Sequence, residues 1–223
     1  MADGYARITN RPQAVIVHVD VGTSALGPVV HNASVGHCPV LIFAGLTPVT
    51  EDGSIRGSRT EYMHWIQNAP DQKDLFRQYC RYVGEIHSKT TVKQTLARAL
   101  QFAESDVKGP VYVAAARDVL AEEIEEPQKL ELDHWVPIGP AALPSSAVES
   151  IAEALVHANN PLIITGYSGR NLLSPAELAK LADTIPGLRV YDACGSDMCF
   201  PSIPRLWASD TVLMSVRREP MSS

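Results

Sequence analysis

The first 45 residues contain the order of elements that most restricts the fold of this chain. An apolar stretch at residues 14–19 precedes a tight turn at Asp20-Val21-Gly22, a helical pattern and a second apolar stretch at residues 39–43. This order predicts a βαβ unit of a parallel sheet. Ligands of such sheets bind beyond the carboxyl ends of the strands. The turn at 20–22 and the segment at Gly45 are therefore the first candidates for a binding site.

Local patterns predict further elements along the first half of the chain. Residues 15–19 are apolar or β-branched on both faces, which predicts a fully covered parallel strand, with His18 packed inside it. Helical spacing predicts a helix from Gly22 to His37 with one buried face, and two more at residues 71–82 and 90–103. A closing strand is predicted at residues 111–115.

The second half has a similar order and is predicted to be a separate domain. Residues 120–144 combine an acidic run with prolines and no periodicity, which is typical of an interdomain linker. Beyond it, two helices are predicted to begin with capping boxes, Ser146 with Glu149 and Ser174 with Glu177. Strands are predicted at residues 161–165 and 188–191. We expect domains at 1–119 and 145–201, and an atypical tail at 202–223.

Composition excludes several classes of function. The chain of 223 residues carries a net charge of −6 and no basic stripe, which argues against nucleic-acid binding. No apolar run approaches the roughly 20 residues that span a membrane. The four cysteines are widely scattered and are interpreted as reduced thiols, since no second ligand pair has zinc-site spacing. We therefore expect an intracellular protein, cytoplasmic, or mitochondrial if a preceding segment carried targeting information.

Several motifs, taken in order, carry a family resemblance. They are Met1-Ala-Asp-Gly-Tyr-Ala-Arg7, Arg11-Pro12, Val21-Gly22-Thr23, Pro39-Val-Leu-Ile-Phe-Ala-Gly45, Lys108-Gly-Pro-Val-Tyr-Val113 and Arg117-Asp118-Val119. Their order and spacing resemble the pyrimidine-binding domain of thiamine-diphosphate enzymes, in the acetolactate synthase and benzoylformate decarboxylase group. The resemblance covers about the first 200 residues, and residues 145–201 resemble the first half of that family's Rossmann-like central domain.

The resemblance implies a fold and a chemistry. The fold class is α/β, with a parallel-sheet pyrimidine-binding domain that lacks its first strand and helix. The implied activity is that of a carboligase or decarboxylase acting on a 2-oxo acid such as pyruvate, with thiamine diphosphate, Mg²⁺ and a homo-oligomeric assembly. Flavin adenine dinucleotide is a further cofactor of some family members.

The resemblance also identifies candidate site residues. The family has a Gly-Pro-Gly turn where this chain has Asp20-Val21-Gly22, so only Gly22 matches. Asp20, Val21, Gly22 and Gly45 are the candidate cofactor contacts, although a helix cap by Asp20 or Thr23 would explain the turn equally well. Substrate contacts are predicted from Tyr62, His64 and Gln67. The alternative for that segment is an amphipathic turn that packs Met63 and Ile66.

Two features of the family are missing from these residues. The glutamate that pairs with the aminopyrimidine ring precedes the matched segment in the family, and no Gly-Asp-Gly…Asn metal motif occurs; Gly195-Ser-Asp197 does not match it. The sequence therefore favours an incomplete copy that is catalytically inactive as an isolated chain. Two alternatives stay open: a non-catalytic product that pairs with a full-length homologue, and a flavin- or nucleotide-binding module that uses residues 166–171.

The tail beyond Ser202 has no clear period and does not resemble the family. A reading-frame shift near Ser202 is one hypothesis, because the shifted codons permit a glycine-rich stretch across residues 206–212. The genomic reading frame would test it.

Overall fold

A computed structural model describes residues 1–126, 129–193 and 197–201. The chain divides into two compact units, residues 1–141 and 142–223. The predictions for Cys194 and for the tail at 202–223 lie outside the described residues.

The first unit is a mixed α/β structure. Its helices are α1 (Ala2–Thr9), α2 (Val21–Ser24), α3 (Gly27–Val35), α4 (Met63–Ile66), α5 (Val92–Glu104) and α6 (Arg117–Leu120). Its strands are β1 (Gln13–Val17), β2 (Val40–Leu46), β3 (Tyr82–Ile86) and β4 (Val111–Ala116). Short 3₁₀ helices form at Gln72–Phe76, Lys89–Thr91 and Leu132–His134.

The four strands form one parallel sheet in the order β1-β2-β4-β3. This confirms the predicted α/β class and the parallel pairing of the first two strands. Because all strands run the same way, the residues that follow β1, β2 and β4 meet at one edge of the sheet. That edge includes Gly45, which pairs with Ala115.

The core of this unit lies on both faces of β4, in which every residue is buried. On one face, Tyr112 and Ala114 pack with Ile42, Val30 and Phe76. On the other face, the alanines of α5 allow close approach to the sheet, and the cluster contains Val111, Val113, Ile86, Ala99 and Ala103. Small residues at the helix–sheet contact and β-branched residues in the strand give a closely packed layer structure.

The prediction of a fully covered first strand is wrong. Strand β1 ends at Val17, and its residues alternate between half-buried and exposed, with Ile16 79% exposed. Within the described residues β1 pairs only with β2, so it lies at the edge of the sheet. His18 is exposed beyond the strand end and is not packed within it.

The prediction of a helix over residues 71–82 is also wrong. Only a 3₁₀ turn forms there, at Gln72–Phe76, and the chain then enters β3. The apolar residues Leu75, Phe76 and Tyr79 have helical spacing, but only Phe76 is buried. Tyr82, the last residue of the predicted helix, pairs instead with Val111 and begins strand β3.

The predicted helix after the turn is interrupted. It divides into α2 and α3, and only Val30 and Ala33 of α3 are buried, whereas Val29 is 56% exposed. The prediction for α5 is confirmed within two residues at its start and one at its end.

The second unit contains α7 (Ser145–His157), β5 (Leu162–Thr165), α8 (Ser174–Thr184) and β6 (Arg189–Asp192). The two strands pair in parallel, as the predicted αβ order requires. Neither capping box forms: Pro144 and Leu173 occupy the N-cap positions, and neither helix has a side-chain cap. The helices begin at Ser145 and Ser174, which is two residues and one residue earlier than the predicted serine caps would allow.

The segment predicted as a linker is attached to the first unit at two points. The Nζ atom of Lys89 donates to the carbonyl of Glu123. Further along, the backbone N–H of Asp106 donates to the carbonyl of Ile138, whose own N–H donates to Ser105 Oγ. Among the described residues, no helix is long and apolar enough to cross a membrane.

Candidate functional site

A cleft of about 620 Å³ opens at the carboxyl edge of the sheet. It lies beyond the ends of β1, β2 and β4, where the topology of a parallel sheet places ligand sites. Its walls combine apolar side chains with a few polar groups. The lining residues include Val19, Phe43, Gly45, Leu46, Met63, His64, Gln67 and Arg117.

A smaller cleft of about 330 Å³ adjoins it on the side of β3. The two clefts share Leu46, Thr47 and Gln67. The smaller one contains the ion pair between Lys73 and Glu85, whose Nζ–Oε2 distance is 2.7 Å. The hydrogen bond to Glu85 raises the pKa of Lys73. The carboxyl edge of the sheet thus holds two adjoining clefts, the smaller of which contains a half-buried ion pair.

The structure brings three of the predicted site residues to the larger cleft: Gly45, His64 and Gln67. Gln67 lies directly after α4 and lines both clefts. Tyr62 is 73% exposed and lines neither. His18, which the sequence interpretation placed inside a strand, also lines the larger cleft.

His64 is held by the backbone that precedes it. Its Nδ1 accepts hydrogen bonds from the N–H groups of Thr60 and Glu61, at 3.1 and 3.4 Å. Its Nε2 lies 3.4 Å from Nη1 of Arg117, at the start of α6. The alternative interpretation of this segment is only partly right, because Met63 is half-buried whereas Ile66 is 68% exposed.

The turn at residues 20–22 borders the cleft without lining it. Asp20 has a φ of 52° and makes no side-chain cap, and Thr23 is buried and turned inward, so neither predicted helix cap forms. Val21 is 60% exposed. A Cβ on Gly22 would lie 3.1 Å from Val17 Cβ, so the packing of the turn itself accounts for this glycine.

Gln72 is the residue that sequence reasoning missed. It is 3% exposed, and its Oε1 accepts a hydrogen bond from the backbone N–H of Asp20 at 2.7 Å. Its Nε2 lies 3.0 Å from the carbonyl oxygen of Gly45 and within 3.0 Å of the hydroxyls of Thr23 and Tyr112. No local pattern marks this glutamine, since its partners are far away in the sequence.

Tyr112 completes this buried network from the centre of β4. Its hydroxyl lies 2.8 Å from Thr23 Oγ1. Burial raises the pKa of Tyr112, although the hydrogen bonds with Thr23 and Gln72 act in the opposite direction. The phenol therefore remains protonated and serves as a neutral hydrogen-bonding group.

Asp118 is a buried carboxylate behind the cleft. Its Oδ2 accepts hydrogen bonds from the backbone N–H groups of Val49 and Thr50, both at 3.0 Å, and from the Thr50 hydroxyl. Burial would raise the pKa of Asp118, but these hydrogen bonds outweigh it and hold the pKa below the ordinary value of 3.8. The carboxylate anchors the loop that follows β2.

Comparison with known proteins gives a consistent result. Residues 1–75 match the family model described as the N-terminal TPP binding domain of thiamine pyrophosphate enzymes. The chain is 30% identical over 121 residues to 2-hydroxyacyl-CoA lyase 2 of Mus musculus, covering 53% of this chain and 17% of the relative. It is 23% identical over 198 residues to acetolactate synthase of Bacillus subtilis, covering 88% of this chain and 32% of the relative.

The chain is thus similar to thiamine pyrophosphate enzymes, and its first 75 residues match the N-terminal domain model of that family. It spans about a sixth to a third of the length of these two relatives. A solved structure from Mycobacterium smegmatis, described as a thiamin diphosphate-dependent enzyme, has the same fold, with a TM-score of 0.63 and 22% identity over 90% of this chain and 36% of the other.

The residues of the larger cleft fit one end of thiamine pyrophosphate. Its apolar side chains suit a flat aromatic ring, and the amide of Gln67 in its wall offers a donor and an acceptor to ring nitrogens. The diphosphate end requires a bound divalent cation, and within residues 1–126, 129–193 and 197–201 no group of three His, Cys, Asp or Glu side chains could hold one.

The glycine turn of the second unit is packed against its own chain. A Cβ on Gly169 would lie 2.2 Å from the carbonyl oxygen of Met198, and Arg170 pairs with Asp197 at 3.1 Å. Cys199 Sγ also donates to the carbonyl of Gly166. Close approach of residues 197–199 therefore accounts for Gly169 without a flavin or nucleotide.

No disulfide forms among the described cysteines, and burial raises the pKa of the Cys80 thiol to about 12.

Proposed function

We propose that the first unit binds the aminopyrimidine end of thiamine diphosphate in the larger cleft. The complete site would be that of an acetolactate synthase-like carboligase or decarboxylase acting on a 2-oxo acid such as pyruvate. The observation that carries the proposal is the position of the cleft. Gly45, His64 and Gln67 lie together at the carboxyl edge of the sheet, and residues 1–75 of the chain match a TPP binding domain.

Each cleft residue has a task that its surroundings support. The backbone at Gly45 borders the cleft, and a Cβ there would make an ordinary contact of 3.5 Å with the nitrogen of Val19. Gln67 offers both a donor and an acceptor to a heteroaromatic ring. His64 lies in the cleft wall, with its Nδ1 held by backbone N–H groups and its Nε2 beside Arg117. The turn at Asp20, Val21 and Gly22 forms the rim.

When bound, thiamine diphosphate supplies the nucleophilic carbon and the electron sink for bond cleavage beside a carbonyl group. We propose that the 223 residues bind the cofactor without turning over pyruvate. Within the described residues, no three His, Cys, Asp or Glu side chains are grouped as a metal site. Because the ring contacts of the cleft carry the proposal, we expect binding to depend on the ring and to be independent of Mg²⁺.

The test is a titration of the ¹⁵N-labelled full chain with thiamine diphosphate, with and without Mg²⁺. We expect amide shifts at Gly45, His64 and Gln67, unchanged by Mg²⁺. Gln67→Ala should weaken binding by about tenfold, because a ring contact is lost. Gln78→Ala is the matched control, since Gln78 is exposed and lines neither cleft.

Three results would contradict the proposal. Shifts elsewhere in the chain, or none at millimolar cofactor, would exclude this cleft as the site. If Gln67→Ala bound the cofactor as tightly as the unmodified chain, Gln67 would not be part of the site. Pyruvate turnover by the purified chain would overturn the expectation of inactivity.

A further inference from the structure

We propose that Gln72 is a positioning residue that ties the Asp20–Gly22 turn to the carboxyl end of β2 and so sets the rim of the cleft. Its effect on cofactor binding rests on the proposed function, whereas its effect on the turn does not. Gln72 itself lies in the wall of the smaller cleft and does not line the larger one. It would therefore act through the turn and through Gly45.

The contacts of Gln72 join three separate parts of the chain. Oε1 accepts from the backbone N–H of Asp20, 52 positions away, and Nε2 reaches the carbonyl oxygen of Gly45, 27 positions away. Nε2 also lies 2.9 Å from the hydroxyl of Tyr112 in the middle of β4. One side chain thus spans the distance between the turn after β1, the end of β2 and the centre of β4.

Hydrogen-bond chemistry allows only one orientation of the amide. The carbonyl of Gly45 can only accept, and the backbone N–H of Asp20 can only donate. A flipped amide would face the Asp20 N–H with its NH₂ group at 2.7 Å and the Gly45 carbonyl with its oxygen at 3.0 Å. Both contacts would be repulsive. The hydroxyls of Thr23 and Tyr112 can donate or accept, so they adjust to the remaining N–H.

The turn needs an external partner. Asp20 has a positive φ, which a residue with a side chain rarely adopts, and its own carboxylate caps nothing. The N–H of Asp20 is therefore satisfied by Gln72. Without the Gln72 oxygen, the Asp20 N–H would lose its hydrogen-bond acceptor at a residue whose backbone conformation is already unfavourable. We therefore expect the turn to move before the rest of the unit does.

The experiment measures hydrogen exchange at the Asp20 amide in the ¹⁵N-labelled full chain. In the unmodified chain this amide should be protected, and exchange as fast as in an unstructured peptide would by itself overturn the proposal. In Gln72→Met, which preserves length and burial, exchange at Asp20 should accelerate about tenfold, whereas amides in α5 keep their rates.

Thr23→Val separates positioning from general loosening of the core. This variant removes a hydroxyl from the same buried network but no contact with Asp20. If Gln72 holds the turn through its hydrogen bond with Asp20, the exchange rate of the Asp20 amide in this variant should stay within about twofold of that in the unmodified chain. Equal acceleration in both variants, or in neither, would show that Gln72 only fills the core.

Cofactor titration gives the second measurement. Gln72→Met should raise the Kd for thiamine diphosphate about fivefold, and Thr23→Val should leave it unchanged. If the unmodified chain does not bind the cofactor, the proposed function fails, and exchange at Asp20 still decides whether Gln72 positions the turn. If the chain binds and Gln72→Met binds equally well, the link between the turn and the cleft is wrong.

Discussion

Asp118 anchors a long loop through a single carboxylate. The loop between β2 and α4 begins at Thr47, and its first turn donates three hydrogen bonds to Oδ2 of Asp118. The carboxylate is 5% exposed, so its charge is stabilised by these donors and not by water. The sequence resemblance included this residue in a motif but gave it no task.

Asp118→Asn should lower the free energy of unfolding by about 1.5–3 kcal/mol, because hydrogen bonds to a buried charge are replaced by weaker ones to a neutral oxygen. Urea unfolding monitored by circular dichroism would measure this. Asp133→Asn is the matched control, since Asp133 is exposed on a 3₁₀ turn of the same unit. Equal stability of the two variants would contradict the anchoring role.

The lowered pKa of Asp118 also predicts a pH dependence. Because the pKa of the folded carboxyl lies below its unfolded value of 3.8, its stabilising effect is complete above about pH 5 and is lost as the pH falls through the folded pKa. The difference in unfolding free energy between the natural chain and Asp118→Asn should therefore be constant near neutrality and shrink in acid. A difference that grew in acid would have the wrong sign.

At the scale of elements, the loop from Thr47 to Tyr62 depends on two glycines with positive φ. Gly57 has a φ of 89°, and a Cβ there would lie 2.9 Å from the backbone of Asp118. Gly53 has a φ of 76° but has open space around it. The two positions share a backbone conformation and differ in crowding.

Gly57→Ala should cost about 3 kcal/mol of stability, because it adds a backbone clash to an unfavourable φ. Gly53→Ala, the matched control, should cost about 1 kcal/mol, because only the φ is unfavourable. Thermal unfolding of the two variants measures both. Similar losses would show that the loop moves away from α6 without penalty.

The elements also differ in how far they could be predicted. Strands β2 and β4 and helix α5 were predicted because an apolar run and a 3.6-residue period are properties of the chain itself. Strand β3 was missed because its sequence, Tyr82-Val-Gly-Glu-Ile86, contains no apolar run. Its five residues become a strand through pairing with β4, which no local pattern reports.

At the scale of the whole molecule, the chain forms two compact units, residues 1–141 and 142–223. The linker predicted at 120–144 is not uniform. Its early part is attached to Lys89, and residues Val136 and Ile138 bond to the end of α5 through Gln101, Ser105 and Asp106. Residues 139–144 are exposed and are predicted to be the accessible connection.

Limited proteolysis should therefore first cut the chain within residues 139–144. The backbone at 136–138 should resist, because cleavage requires local release of its hydrogen bonds. Mass spectrometry of the earliest fragments would locate the cut. Gln101→Ala should move some cleavage toward Val136, whose carbonyl loses its donor. A first cut within α5 or β4 would contradict the two-unit organisation.

The sequence by itself determined the class of fold, the parallel order of its first strands and the edge at which a site would lie. These follow from apolar runs, helical periods and turn residues, which act over a few neighbouring positions. Motif order also carried the resemblance to thiamine-diphosphate enzymes. Three of the site residues that this resemblance implied, Gly45, His64 and Gln67, line the cleft.

Tertiary structure alone decided that β1 pairs on one side only within the described residues, that residues 82–86 join the sheet, and that Gln72 contacts Asp20 and Gly45. The physical reason is the same in each case. The free energy of these contacts comes from groups separated by tens of residues, such as Thr23 and Tyr112, which are 89 positions apart. Such contacts exist only after the sheet has brought its strands together.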